Sequence, residues 1–382
     1  MTNIELRYAF DVEWYDSAAT IIRKYILLFF PKDNGVEMFD LKNNRPFLKR
    51  TKCEGLRLSD LHVGNSVNIL SRQLRIVDFG DEWTRRNLSS HTEKTLGIIK
   101  PQALSNMGQI ISDIEKANFV IVNLKMFQLK REQAIELYAP HKGKPFMENL
   151  LNLMTSGPIM AFELMRENAV NGWLDMIGPT DPLLAKREAP HSLRAKYGLD
   201  SVSNGLHGSE CVNAAIREIN FFFRENGCSI PNTARFSKST CAVVKPHLVT
   251  NGQLGSIILS IVNAGFEITA LRMYNLDKAN AEEFLEVYKG VLAEYAAILL
   301  ELISGPCVAM EISTGIRLKN QIAQKSFREF VGPMDPEMAR HLRPNTLRAM
   351  YGKDKVCNGI HCTDLPEDAE LEVQYFFQIL DK

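Results

Sequence analysis

This chain lacks net charge: 45 Lys and Arg balance 45 Asp and Glu over 382 residues. A protein that coats nucleic acid normally carries a basic excess to neutralise phosphates, so that class is disfavoured, though a local basic patch is not. No apolar run is long enough to span a bilayer. The opening Met1-Thr2-Asn3-Ile4-Glu5-Leu6-Arg7 has neither the basic nor the apolar block of a secretory signal. The seven cysteines are an odd number with no C-x-x-C pair. That usage fits reduced thiols rather than a disulfide framework, and predicts an intracellular, cytoplasmic protein.

The residues that are informative occur twice. Asn204-Gly205-Leu206-His207-Gly208-Ser209-Glu210 returns as Asn358-Gly359-Ile360-His361-Cys362-Thr363-Asp364. Upstream, Thr95 to Pro101 answers Thr240 to Pro246, each ending in Lys-Pro (Lys100, Lys245), and Ser156-Gly157-Pro158 answers Ser304-Gly305-Pro306. Arg194 and Arg348 each stand ten residues before the Asn of their repeat, and Glu218 and Glu372 eleven after its His. Landmarks recurring in one order define a duplicated domain. The length agrees, since 382 residues exceed the usual size of one hydrophobic core.

Three segments follow. Residues 1–87 alternate β-rich runs (Tyr25 to Phe30, Val36 to Phe39, Val67 to Leu70, Leu74 to Phe79) with turn signals at Asn34-Gly35 and Asn43-Asn44. The repeats occupy 93–223 and 238–382, separated by a linker with Asn226-Gly227 and Pro231-Asn232. In the first repeat, Leu96 to Ile99, Phe119 to Leu129 and Ile159 to Leu164 read as strands. Ile110, Ile111 and Ile114 fall at helical spacing, as do Phe146, Leu150, Leu151 and Leu153, and Cys211 to Phe222 reads as a closing helix. The order β-α-β-α-β-α-β-α predicts an α/β (α+β) ferredoxin-like sandwich with added helices.

Lys-Pro ending the first strand, Ser-Gly-Pro before the third, Asn-x-x-His-Gly-Ser and a Glu eleven residues later are together similar to nucleoside diphosphate kinases. The resemblance covers nearly all of both repeats. Two such domains behind a β-rich head resemble the axonemal, two-domain branch of that family, whose head is a pleckstrin-homology-like type found in ciliary proteins. It implies ping-pong transfer of a γ-phosphoryl group from ATP or another nucleoside triphosphate to a diphosphate through phosphohistidine, with Mg²⁺ carried by the nucleotide. An unperturbed imidazole, with a pKa of about 6.5, is a capable nucleophile near neutrality. His207 and His361 are therefore the expected nucleophiles, with Glu218 and Glu372 orienting them. Phosphoryl transfer rests mainly on cationic positioning. Lys100, Arg194, Asn204 and Ser209, with Lys245, Arg348, Asn358 and Thr363 in the second repeat, are the expected phosphate and ribose contacts. Tubulin or a microtubule-associated assembly is the implied partner, and the axoneme, centrosome or basal body the implied location.

The copies differ. In the first, Tyr138 matches the family's tyrosine beside the nucleophile, Phe146 the aromatic that stacks on the base, Lys144 a position usually Arg, and Thr180 a phosphate-binding threonine. Lys keeps the charge of Arg but loses its planar fork. Leu174 stands where the family places an arginine. In the second, Arg328 restores that cation, Met334 replaces the threonine, and Tyr288 and Tyr295 fall out of register with the tyrosine and stacking positions. Cys362 replaces the glycine beside the histidine and is expected to crowd the phosphate. Weaker nucleotide binding is expected at the second site. Lys42, Arg45, Lys49, Arg50 and Lys52 form a basic stretch that reads either as a solvated hairpin face or as an attraction for an acidic filament. An interaction protein with vestigial activity therefore stands beside the enzyme reading.

Overall fold

The computed structural model describes residues 5–16, 18–53, 55–88, 92–223, 230–318 and 320–381. The expected turn at Asn226-Gly227 lies outside them. In the head, alternating apolar positions build β1 (Tyr8–Asp16), β2 (Ile21–Phe30), β3 (Gly35–Asp40), β4 (Arg45–Lys52), β5 (Ser66–Ile69) and β6 (Arg72–Phe79), followed by α1 (Glu82–Leu88). They form one antiparallel sheet in the order β4-β3-β2-β1-β6-β5, with Phe10, Val12, Tyr25, Leu27 and Phe29 buried inside it. Both turn signals are used: Asn34 and Asn44 take φ of 51° and 49°, a left-handed conformation that asparagine tolerates. Strands β1 and β4 and helix α1 are additions to the sequence reading. Helix α1 closes the head through Thr84, whose Oγ1 accepts from the Ala9 N–H at 2.9 Å.

Apart from Lys42, in the turn before it, the basic stretch lies on β4, an edge of this sheet. Arg50 is committed to Glu5 and Asp33, at 2.5 and 3.0 Å. Charged side chains and Pro46 on an exposed edge discourage pairing with another chain, which gives the stretch a role inside the fold's own economy of edges.

The first repeat comprises β7 (Glu93–Ile99), α2 (Met107–Lys116), β8 (Val120–Phe127), α3 (Arg131–Leu137), α4 (Met147–Thr155), β9 (Ile159–Arg166), α5 (Ala169–Ile177), α6 (Pro182–Glu188), α7 (Leu193–Tyr197), β10 (Leu206–Gly208) and α8 (Val212–Phe222). The second comprises β11 (Ser239–Val244), α9 (Pro246–Thr250), α10 (Leu254–Asn263), β12 (Phe266–Tyr274), α11 (Lys278–Phe284), α12 (Tyr295–Leu302), β13 (Cys307–Thr314), α13 (Ala323–Val331), α14 (Pro336–Leu342), α15 (Leu347–Tyr351), β14 (Ile360–Cys362) and α16 (Ala369–Gln374). The strands join in one sheet, β10-β7-β9-β8-β12-β13-β11-β14. Within each repeat the spatial order is fourth, first, third, second strand, the ferredoxin-like order, and the second repeat mirrors the first across the β8–β12 seam.

That seam makes the repeats one body. Helices α2 and α10 approach so closely that a Cβ on Gly108 would lie 2.6 Å from the Leu259 backbone nitrogen, and one on Gly255 2.2 Å from that of Ser112. Glu115, on α2, accepts from the first two N–H groups of α10, Leu254 at 2.9 Å and Gly255 at 3.1 Å. A carboxylate is favoured at that helix end. Ile110, Ile114, Ile257 and Ile261 belong to a buried cluster continuous across both repeats. The head rests on the second repeat: Arg57 donates to the Thr250 carbonyl at 2.7 Å, Asn68 to Ile303 at 2.9 Å and Gln73 to Leu276 at 2.8 Å.

Candidate active sites

Strand β10 is only three residues long, and its alternation decides the site. Leu206, His207 and Gly208 pair with Ile99, Ile98 and Gly97 of β7, so Leu206 and the Gly208 position turn to the core and His207 to the other face. Behind His207 lies α8, which presents Glu218. Nε2 of His207 is 2.8 Å from Glu218 Oε2, the same oxygen that accepts from Ser209 Oγ at 2.8 Å, while Arg217 donates to Oε1 at 3.0 Å. Burial pushes the Glu218 carboxyl up, but the His207 hydrogen bond and charge, with help from Ser209 and Arg217, outweigh it and hold the group below the usual carboxylate range. An ionised Glu218 fixes the proton on Nε2. Nδ1 is then the nitrogen with a free lone pair.

Two cations stand nearby without counter-ions. Lys100, at the end of β7, donates to the Val202 carbonyl at 2.8 Å and to Asn204 Oδ1 at 2.7 Å. Arg194, on α7, donates to the carbonyls of Gly178 at 2.7 Å and Leu206 at 3.1 Å. Among the described residues neither forms an ion pair. Burial, with the charge of Arg194, brings the Lys100 pKa down to about 7, and burial brings Arg194 down to about 10. Desolvated cations of this kind are unsatisfied until an anion arrives. Asn204 Nδ2 also donates to the Thr180 carbonyl at 3.2 Å, which ties the threonine turn to this cluster. Tyr138 is buried, its ring edge-on to His207 at 5.8 Å and its hydroxyl without a partner among the described residues. Burial, then the Glu218 charge, drive its phenol pKa well up.

At the rim, Lys144 Nζ is 3.0 Å from His141 Nδ1 and 5.7 Å from the centre of the half-exposed Phe146 ring. His141 received no role from the sequence. Yet its ring stacks on Tyr138 at 6.2 Å and meets Phe146 edge-on at 5.7 Å. Its place three residues after Tyr138 was the available signal.

The second site repeats the central geometry. His361 Nε2 is 2.8 Å from Glu372 Oε2, Thr363 Oγ1 donates to the same oxygen at 2.9 Å, and Arg348 donates to the Ile360 and Gly332 carbonyls at 3.0 and 2.9 Å. Lys245 Nζ donates to the Val356 carbonyl at 2.7 Å, and burial lowers its pKa to about 8. A cavity of about 550 Å³ opens here, lined by Lys245, Tyr288, Arg328, Arg348, Asn358 and His361 among others. Met334 also lines it, and Asn358 Nδ2 reaches its carbonyl at 3.4 Å.

One expectation is corrected: Cys362 does not crowd the phosphate. It is 2% exposed and packed in the core, on the opposite face of β14 from His361. A Cβ on Gly208 would lie 2.6 Å from Trp173 Cδ1, whereas the second repeat has Phe327 at the equivalent place. The smaller ring leaves room for the thiol. Arg328 does not stand free either, being ion-paired with Asp364, which also accepts from the Tyr288 hydroxyl at 2.7 Å. The turn glycines Gly143 and Gly290, with φ of 84° and 76°, put Tyr288 at the place of His141 and Leu285 at that of Tyr138. Tyr288 is thus out of register with Tyr138, yet its ring still reaches His361 at 6.3 Å, behind Phe284 at 4.9 Å. Tyr295 begins α12.

Fold and site together define a class: a doubled ferredoxin-like sheet that presents a carboxylate-held histidine beside buried cations, the framework of nucleotide phosphotransfer. The chain belongs to the nucleoside diphosphate kinase family, whose model matches residues 93–228 and 238–381, and the model described as the nucleoside diphosphate kinase 7 N-terminal PH domain matches residues 2–90. It is similar to nucleoside diphosphate kinase homolog 7 of Rattus norvegicus, 51% identical over 376 residues, 98% of this chain and 94% of the rat protein. The Mus musculus protein of the same name gives the same 51% over 376 residues, with the same coverage. Nucleoside diphosphate kinase 2 of Protochlamydia amoebophila is 45% identical over 134 residues, 35% of this chain and 92% of that protein. The six-stranded head is accordingly a pleckstrin-homology-like domain.

Proposed function

We propose that this protein moves the γ-phosphoryl group of a nucleoside triphosphate to a nucleoside diphosphate by a ping-pong route, with most turnover at His207. The observation that carries the reading is the His207 Nε2–Glu218 contact at 2.8 Å, which leaves Nδ1 as nucleophile beside Lys100 and Arg194. The Nδ1 lone pair forms a bond to the γ-phosphorus as the bond to the bridging oxygen breaks. The diphosphate leaves with that electron pair, and the Nε2 proton stays on Glu218's hydrogen bond. A terminal oxygen of the acceptor diphosphate then attacks the phosphohistidine in reverse. Lys100 and Arg194 offset charge on the equatorial oxygens.

The family is generally Mg²⁺-dependent, and the donor set tests where that ion sits. Beside the cations Lys100 and Arg194, the carboxylate at His207 is Glu218, already engaged by His207, Ser209 and Arg217, and no cluster of three carboxylate, His or Cys ligands lies there among the described residues. In this reading the ion enters with the nucleotide's phosphates, as part of the substrate.

The head is read as the part that places the enzyme on a ciliary microtubule assembly, with centrosome or basal body as related destinations. Supporting this, it contains none of the repeat landmarks, and among the described residues its hydrogen bonds to the rest of the chain go to the second repeat rather than to the His207 cleft. Incubation of the full chain with γ-labelled ATP and no acceptor tests the chemistry. Acid-labile, base-stable label on His207, discharged by added diphosphate, is expected. Acid-stable label, or none, refutes the phosphohistidine route.

A further inference from the structure

The second repeat holds three ligand-type side chains that the kinase site does not use. One ring nitrogen of His247 on α9, one carboxylate oxygen of Glu301 on α12 and Sγ of Cys357 in the loop before β14 all lie within 4.8 Å of one another. Glu301 Oε1 is 2.6 Å from His247 Nδ1, so one edge of the group is already joined. Beyond that edge, His247 Nε2 and Glu301 Oε2 are buried and have no hydrogen-bond partner among the described residues. Buried imidazole and carboxylate atoms left bare in residues that stand beside a thiol call for a further partner.

The first repeat supplies an internal control. Lys100-Pro101-Gln102 aligns with Lys245-Pro246-His247, the Ser-Gly-Pro landmark aligns Leu153 with Glu301, and Ser203-Asn204 aligns with Cys357-Asn358. Gln, Leu and Ser have become His, Glu and Cys together. The ferredoxin-like frame does not require any of the three, since the first repeat builds the same frame without them. Phosphotransfer does not require them either, because the first repeat carries the full set of His207, Glu218, Lys100 and Arg194 in their absence.

We infer that His247, Glu301 and Cys357 bind a zinc ion, a site belonging to the second repeat alone. Imidazole nitrogen, carboxylate oxygen and thiolate sulfur suit zinc's tetrahedral, borderline-soft preference, and three protein ligands leave a fourth position for water. Neither His247, with 11% of its side chain exposed, nor Cys357 is fully buried, which leaves an edge for entry. The bound ion ties α9, α12 and the Cys357 loop together. Those elements carry Lys245 and Asn358 to the His361 cleft, and their ends at Thr250 and Ile303 receive the head. The ion thereby braces both the second cleft and the head's seat.

The test uses the full chain, stripped with chelator and titrated with zinc alone, with elemental analysis after desalting. The variants are His247→Gln and Cys357→Ser, each placing the first repeat's own residue in the same frame. One zinc per wild-type chain is expected, weakened at least tenfold in either variant while circular dichroism stays unchanged. Cobalt added in place of zinc should give a thiolate charge-transfer band that disappears in Cys357→Ser and persists in Cys211→Ser, the exposed-thiol control. If one variant fails to fold, the other decides. Absence of bound metal in the wild type, or a band retained in Cys357→Ser, overturns the site.

Discussion

At the scale of single residues the two nucleophiles share one geometry, so their neighbours must separate them. His207 has the buried Tyr138 hydroxyl and the Lys144–Phe146 rim, whereas His361 has Leu285 at the tyrosine's place and an Arg328 engaged by Asp364. In the full chain, His207→Ala is expected to remove most nucleoside diphosphate kinase turnover and His361→Ala the smaller share. Steady-state kcat for both variants checks it, and more than half the wild-type rate in His207→Ala refutes the assignment. Lys100 gives a second expectation. Its pKa near 7 reflects a buried charge with no ion-pair partner among the described residues, and in the proposed role nucleotide phosphates would supply the anion. Binding at pH 8 should therefore take up a proton. Calorimetry in buffers of different ionisation enthalpy should show uptake in the wild type and lose it in Lys100→Met. The same depression has a sign for folding: below about 7 the folded state carries the full cost of the buried charge. Stability contributed by this group then rises with pH from about 7 to the ordinary lysine range, because the unfolded chain binds more protons there.

The residues that the structure gathers around His207 and His361 were legible as a set because their types recur at fixed spacing in both repeats, and spacing survives in sequence. What lay beyond reading were contacts between elements remote in the chain. Alternation beside His361 turns Cys362 to the core, but that the core has room for its thiol depends on Phe327 standing on α13 where Trp173 stands on α5. The same holds for Arg328, whose partner Asp364 is 36 residues away.

At the scale of elements, β10 against α5 and β14 against α13 are two solutions of one packing problem. A large indole requires glycine on the strand, and a phenyl ring admits a thiol. Gly208→Cys is expected to destabilise the protein by about 1–3 kcal/mol through overpacking against Trp173. Trp173→Phe alone should also destabilise, since it loses the indole N–H bond to the His207 carbonyl at 3.1 Å. The double variant should be more stable than the sum of the two predicts, by about 0.5–3 kcal/mol of coupling. Urea unfolding of the four proteins measures this. Additive losses would mean that the pair is not the unit that sets the strand's composition.

The whole molecule is organised by its seam and its head. A sheet continuous through β8 and β12, with α2 and α10 in backbone contact, means that the repeats do not separate into free-standing kinases without exposing that face. Differences between the sites therefore belong in the intact chain. The head lies on the second repeat through three side-chain donors to backbone carbonyls, Arg57, Asn68 and Gln73. No described hydrogen bond or ion pair joins it to the residues around His207. Removing residues 1–87 should then leave solution turnover at His207 within about twofold, since no catalytic donor or nucleotide contact is lost. If the head is the targeting element, the same deletion should abolish incorporation into the axoneme in ciliated cells. The basic strand refines that expectation. Arg50 is held by Glu5 and Asp33, so Arg45 and Lys49, exposed on the edge of the sheet, are the cations offered to an acidic filament. Changing both to Glu should weaken pelleting with microtubules, and added salt should weaken the wild type in the same direction as it screens the charges. Normal localisation of the headless chain, with kinase activity preserved, would assign docking to the surface of the fused repeats instead.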